Sequence, residues 1–189
     1  VLVIRSRHNR IVDTTTRDNR LWAYFSQFES SRNVVENFTI DSTTVSFVGE
    51  DVALNTAPTS PSPPRGYRST GLVLNITATV DGAAIRNESD VLVPSEDSYL
   101  ALRVAYDEAD VRGIDEGALR LWRYTERGWS RVAGENYVDP SRNVVVANLT
   151  AFGPQRPSFI EVDELTRATF FVAPIGEAES NTTDPRGAL

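Results

Sequence analysis

The stretch YDEADVRGIDEG, residues 106–117, gathers Asp107, Glu108, Asp110, Asp115 and Glu116 in one turn-rich segment. Carboxylate oxygens at that density are the donors that a hard cation such as Ca2+ prefers. Their spacing is not the D-x-D-x-D-G of an EF-hand loop. Asp107, Asp110 and Asp115 therefore stand as candidate Ca2+ ligands beside the plainer reading of a solvated acidic turn, and no cofactor is expected. The DEAD run has no phosphate-binding loop to accompany it. Two acids flanking a sugar could hydrolyse a glycosidic bond, but the linear order pairs none of these. His8 is the only histidine and no G-x-S-x-G elbow offers it a serine, so no catalytic residue is assigned and no enzymatic activity is expected.

A second chemistry-bearing stretch is LRLWRYTERGWSRV, residues 119–132, where four arginines are interleaved with two tryptophans and a tyrosine. Helical spacing would line the arginines up, but Gly128 interrupts that stripe, and Trp, Tyr and Thr suit a sheet better. As a hairpin, Leu119 and Leu121 face a core, Arg120, Trp122 and Tyr124 lie opposite, Thr125 to Gly128 turn, and Trp129 returns across the pair. Arginine over an aromatic ring contributes about 0.5–1 kcal/mol per exposed contact, which makes plain architecture the first reading. The alternative is a ligand or partner surface built from Arg120, Trp122, Tyr124 and Trp129 that grips a sugar. Nucleic acid is disfavoured, because the chain carries a net charge of −7.

Asparagine supplies the third chemistry. Asn37, Asn75, Asn87, Asn148 and Asn181 each open an Asn-x-Ser/Thr triplet, against about two expected by chance from the composition. Period-two alternation in GLVLNITATV and NVVVANLT puts Asn75 and Asn148 on the faces opposite the apolar residues, where a glycan would meet solvent. Covalent N-glycans and an extracellular or cell-surface location are thus expected.

Composition excludes more than any motif proves. All 19 basic residues are arginine, and lysine, cysteine and methionine are absent. Without lysine there is no Walker lysine, kinase strand lysine or pyridoxal Schiff base. Without cysteine there is no thiol nucleophile, disulfide framework or thiolate metal site. The acidic, lysine-free balance fits adaptation to high salt, where a Debye length of about 3 Å at 1 M screens like charges, with codon drift in a GC-rich genome as the bland alternative. There is no run of eighteen apolar residues to span a membrane, and neither an initiator methionine nor a signal peptide, so the chain is expected to be a mature product or an excised segment.

These groups must be positioned by strands. VLVIRS is a short apolar run, NVVENFTI and STTVSFVG read as two strands, and LWAYFSQF fits helix and strand templates equally. NTAPTSPSPPRGYRST, residues 55–70, is punctuated by prolines and reads as a linker or long exposed loop. Beyond it GLVLNITATV, SDVLV, SYLALRVAY, ALRLWRY, WSRVA, NVVVANLTAF and ATFFVAP recur with turn signals between them and no long helical stretch. The fold class expected is all-β, an antiparallel β-sandwich of immunoglobulin-like or jelly-roll-like type. It divides into an N-terminal β segment over 1–54, the linker 55–70, the sandwich 71–175 and a polar tail 176–189.

The order SYLALRVAYDEADVRGIDEGALRLWRYTERGWSRV, VDPSRNVVVANLTAFG and ATFFVAP resembles a β-sandwich module of secreted, cell-surface glycoproteins of haloarchaea, over about residues 72–175. It departs at PQRPSFIEVDELTR, residues 154–167, where such modules run straight into the last strand. The resemblance implies a structural or adhesive role at an archaeal surface. The expectation is a subunit of a pilus-like filament, sheath or lattice, with itself or other surface proteins as partners. Val1, Leu2, Val3 and Ile4 are a candidate donor strand for a neighbour's sheet, or else an ordinary first strand of their own fold. The alternative function is a secreted carbohydrate- or partner-binding adhesin module.

Overall fold

A computed structural model describes residues 1–19, 22–27, 30, 32–49, 52–57, 61–78, 99–125, 127–150 and 169–179. The protein is all-β and sandwich-like, as the alternation predicts, and the described residues form fifteen strands in two sheets. Sheet A runs β1 (Leu2–Ile4), β4 (Tyr24–Gln27), β7 (Val52–Thr56), β9 (Leu74–Ala78), β15 (Thr169–Glu177), β11 (Arg120–Thr125), β12 (Gly128–Arg131), with β8 (Tyr67–Ser69) pairing β15 off that path. Sheet B runs β13 (Asn136–Asp139), β14 (Val144–Thr150), β10 (Tyr99–Ala105), β6 (Thr43–Gly49), β5 (Asn33–Ile40), β2 (Arg10–Val12), and β3 (Thr15–Thr16) also lies on β5. Within the ambiguous LWAYFSQF segment, Tyr24–Gln27 form β4.

The body of each sheet is antiparallel and the N-terminal edge is not. β1 pairs β4 in parallel, and β2 and β3 pair β5 in parallel. β2 and β3 are in effect one edge strand broken at Asp13 (φ 50), opposite the bulge of β5 where Asn37 (φ 50) takes up the extra residue. The Asn37 side-chain amide donates to Asp13 Oδ1 across that break at 3.0 Å. The first sixteen residues thus supply an edge strand to each sheet.

Alternation fills the space between the sheets. Leu54, Leu74, Ile76, Leu119 and Leu121 from the sheet A side meet Leu100, Leu102, Val104, Val145, Ala147 and Leu149 of sheet B, all buried. Tyr24 stands edge-on to Phe47 at 4.9 Å and to Phe38 at 6.3 Å, arrangements the ring quadrupole favours.

Two sequence-based boundaries need correction. The division at residues 55–70 does not separate an N-terminal segment from a sandwich, because β6 pairs β10 and β7 pairs β9, so strands before the prolines lie inside both sheets. The proline-rich segment contributes the end of β7 and all of β8, whose partner is β15. It behaves as a strap rather than a linker, since Trp129 Nε1 donates to Ser62 O and Tyr67 packs against Trp122 at 5.1 Å. The tail also starts later than 176, because β15 continues to Glu177 and Ala178 bridges Ile114. SDVLV, the 154–167 insert and residues 180–189 lie outside the described residues.

That last bridge depends on a missing side chain. A Cβ on Gly176 would overlap Ile114 Cγ2 and stand 3.2 Å from both Asp115 O and Leu119 Cδ2, groups fixed by backbone and core. Gly176→Ala is expected to cost about 1–3 kcal/mol by overpacking, read as a lowered urea midpoint with an unchanged slope. A loss below about 0.5 kcal/mol would mean the 114–119 loop shifts freely.

Candidate functional site

The acidic loop bonds largely to its own backbone. Asp107 Oδ1 accepts from Ala109 N at 2.7 Å and Asp110 N at 3.1 Å, Asp110 Oδ2 accepts from Asp107 N at 2.8 Å, and Asp115 Oδ1 caps Gly117 N at 3.0 Å. The carboxylates are occupied in shaping turns, and among the described residues no three His, Cys, Asp or Glu side chains converge on one point. Glu116 accepts from the buried Tyr106 hydroxyl at 2.7 Å; burial and that carboxylate push the phenol well above its ordinary range. His8 is exposed at φ 60 in the link between β1 and β2.

The aromatic–arginine hairpin has the expected register, with Tyr124 opposite Trp129 and their rings 5.3 Å apart. It is not an open platform. Trp122 and Trp129 are half-buried against Val73, Ala173 and Ile175, with Ala57 and Tyr67 of the strap in the same cluster. Arg120 turns its guanidinium back to Gly117 O and Leu119 O, at 2.9 and 2.6 Å. Trp122 and Trp129 attach the strap to the outer face of sheet A.

One sequon also lies on the outer face of sheet A. Asn75 lies between Asn55 and Phe171 in the middle of sheet A, half-buried, with its Oδ1 buried and lacking a hydrogen-bond partner. It lies on the face opposite Leu74 and Ile76, as alternation predicts, but is less open to solvent than that position implies. Asn37 is exposed, and Asn148 is half-buried on the outer face of sheet B, where its amide donates to Glu135 Oε2 at 2.6 Å. Asn87 and Asn181 lie outside the described residues.

Val1 to Ile4 pair within their own sheet, the ordinary first strand of the two readings. The register is Leu2 with Phe25 and Ile4 with Gln27, and Phe25 N donates to Val1 O at 2.9 Å. β1 is nevertheless the last strand of sheet A. Its bonded residues are Val1 and Val3, so strand alternation directs the N–H and C=O groups of Leu2 and Ile4 away from the sheet. Val3 is buried, whereas Val1, Leu2 and Ile4 are 43%, 66% and 46% exposed. Val12, on the adjacent edge of sheet B, is 39% exposed.

A second surface was illegible in the sequence. Across the outer face of sheet B the ladders align Tyr137 with Val146, Val146 with Arg103 and Arg103 with Ser46, and Asn37 N donates to Ser46 Oγ at 3.0 Å. The next row sets Asp139, Val144 and Ala105 side by side. Together with Arg142 they line a recess of about 190 Å³. Tyr137 is 43% exposed, and Arg103 is exposed and makes no hydrogen bond or ion pair among the described residues. Hydrogen bonds from Ser141 hold the Asp139 carboxyl below the usual range, keeping it charged, while Arg142 Nε stands 3.8 Å from it.

An all-β sandwich with a polar recess on one sheet and an apolar edge on the other is what the geometry defines. No family model matches the chain, and no curated protein or solved structure matches it significantly. Among the described residues no helix is long and apolar enough to cross a membrane.

Proposed function

We propose that the chain is a non-enzymatic structural subunit of an extracellular assembly, a pilus-like filament, sheath or surface lattice of a salt-living archaeon. In this reading it is N-glycosylated and meets a second copy of itself through the β1 edge. The observation that carries the proposal is the exposed apolar strand: Leu2 and Ile4 offer solvent-facing side chains together with backbone groups that have no partner among the described residues. Edges of this kind are usually blunted by charge, proline or cover.

The sequence of the edge is complementary to itself. An antiparallel two-fold pairing centred on Val3 sets Leu2 against Ile4 of the other copy, and the reverse. These are the residues whose N–H and C=O point outward, so each pair exchanges two backbone hydrogen bonds. A two-fold contact closes on itself, so a longer polymer requires another interface, and Val12 is the other exposed apolar residue at this N-terminal edge. The lysine-free acidic composition and the exposed Asn37 sequon support a glycosylated surface that faces brine.

Sedimentation velocity in molar salt, where like charges are screened, together with electron microscopy of the purified protein, tests the proposal. The expected result is a dimer or polymer for the parent chain and a monomer for Leu2→Glu/Ile4→Glu, whose exposed positions leave the fold intact. A parent that stays monomeric at high concentration, or a variant that associates as the parent does, rules out the β1 edge.

A further inference from the structure

We propose that the recess on the outer face of sheet B binds a carboxylate-bearing sugar, a hexuronic acid or a short saccharide containing one. The site is separate from the β1 edge and stands whether or not the chain polymerises.

Three features fix the ligand class. The first is size, since about 190 Å³ falls below the roughly 300–1,000 Å³ of pockets for drug-sized molecules and would hold about six waters, the room taken by one substituted ring. The second is the lining. Val144, Val146 and Ala105 form an apolar floor, and the exposed Tyr137 ring stands beside it, so the C–H face of a pyranose has an apolar surface to lie on. Ser46 and Asp139 border that floor with a hydroxyl and a carboxylate that ring hydroxyls can bond.

The third feature is charge. Arg103 rises from the middle strand, β10, with no protein partner among the described residues, and its planar fork matches a carboxylate through two parallel hydrogen bonds. Arg142 adds a second guanidinium against the single carboxylate of Asp139. In a chain of net charge −7, this local excess of positive charge favours an anion that the rest of the surface repels. A neutral sugar would leave Arg103 unanswered.

The test uses the full chain made without glycans, so that no chain-borne sugar competes, titrated with methyl glucuronide, methyl glucoside and acetate while backbone amide NMR shifts are followed. The glucuronide is expected to bind with a millimolar Kd and to move the amides of Ala105 and Val146, with the glucoside at least about ten-fold weaker. Arg103→Met, at an exposed position that leaves thermal stability unchanged, should weaken the glucuronide about ten-fold or more, and Tyr137→Ala about five-fold. Raising the salt should weaken the glucuronide and leave the glucoside unaffected. The proposal fails if no saturable shift develops at tens of millimolar, if Arg103→Met binds as the parent does, if glucoside and glucuronide bind alike, or if acetate binds as tightly as the glucuronide.

Discussion

Asn136→Ala is expected to lower stability by about 3–4 kcal/mol, moving the urea midpoint down by about 1–2 M, because one amide group joins the two sheets. Asn136 belongs to β13 of sheet B, yet its Oδ1 accepts from Leu121 N of sheet A at 2.9 Å. Its Nδ2 donates to Leu121 O and Val132 O, each at 2.9 Å. It stands where β12 no longer continues the ladder on β11, and supplies the missing partner itself. Truncation leaves the buried Leu121 N–H without an acceptor, takes a donor from Val132 O and opens a void. Each orphaned buried group costs about 1–3 kcal/mol. Asn136→Asp sharpens the test. It keeps the acceptor but loses both donors, and burial raises the carboxyl's folded-state pKa above its unfolded value. Stability gained from the protonated form is present at low pH and lost as pH rises through the folded pKa, so the variant should be most stable in acid, opposite to ordinary acid denaturation. A loss under about 1 kcal/mol for Asn136→Ala, or a flat pH profile for Asn136→Asp, would show that water replaces the amide.

Residues such as Leu100, Leu102 and Val104, or Val145, Ala147 and Leu149, could be placed from the sequence alone, since one buried face imposes period two on a strand. The same signal missed β2, β3 and β8. Each is two or three residues long and lies at or near a sheet edge, too short for alternation to register. It placed Asn75 and the tryptophans on the outer face but gave no measure of how far that face is covered. Alternation says which side of a strand faces the core, but not whether a strap covers the other side, and here the proline-rich segment does so through Ser62 and Tyr67. Proline content signalled an irregular path and gave no information about what that path lies against.

The candidate sites divide in the same way. VLVI was visible as an apolar edge from its residue types, although its partner, β4, could be found only by pairing. Tyr137 and Arg103 carry no signal individually, an exposed tyrosine and an arginine on unrelated strands. Only the register through Val146 brings them onto one row. The strand ladder creates that site, and no local motif encodes a ladder.

Asn33→Ala should act differently from Asn136→Ala, detaching the N-terminal edge while the sandwich persists. Asn33 is buried at the start of β5. Its Oδ1 accepts from Asn9 N at 3.0 Å and Asn9 Nδ2 at 2.8 Å, and its Nδ2 donates to Ser6 O at 3.0 Å. Asn9 Nδ2 also reaches Ser6 Oγ at 2.7 Å, and the buried Ser30 hydroxyl accepts from Ser6 N and donates to Val3 O. This network holds the link between β1 and β2 and thereby both edge strands, which have little other burial. Removing the amide leaves Asn9 N–H and Ser6 O unpaired, about 2–3 kcal/mol, roughly what a short edge gains from docking. The cost therefore falls on a local opening rather than on the whole fold. Hydrogen exchange should show the amides of Phe25, Val34, Thr39 and Asp41, which donate to Val1, Asn9, Thr14 and Thr16, losing about 30- to 100-fold protection while β6, β10 and β14 keep theirs. If β1 is the assembly edge, the same variant becomes monomeric while remaining folded. Uniform loss of protection across both sheets would instead make the N-terminal residues part of one cooperative unit with the core, and undisturbed protection at those four amides would remove Asn33 from the role.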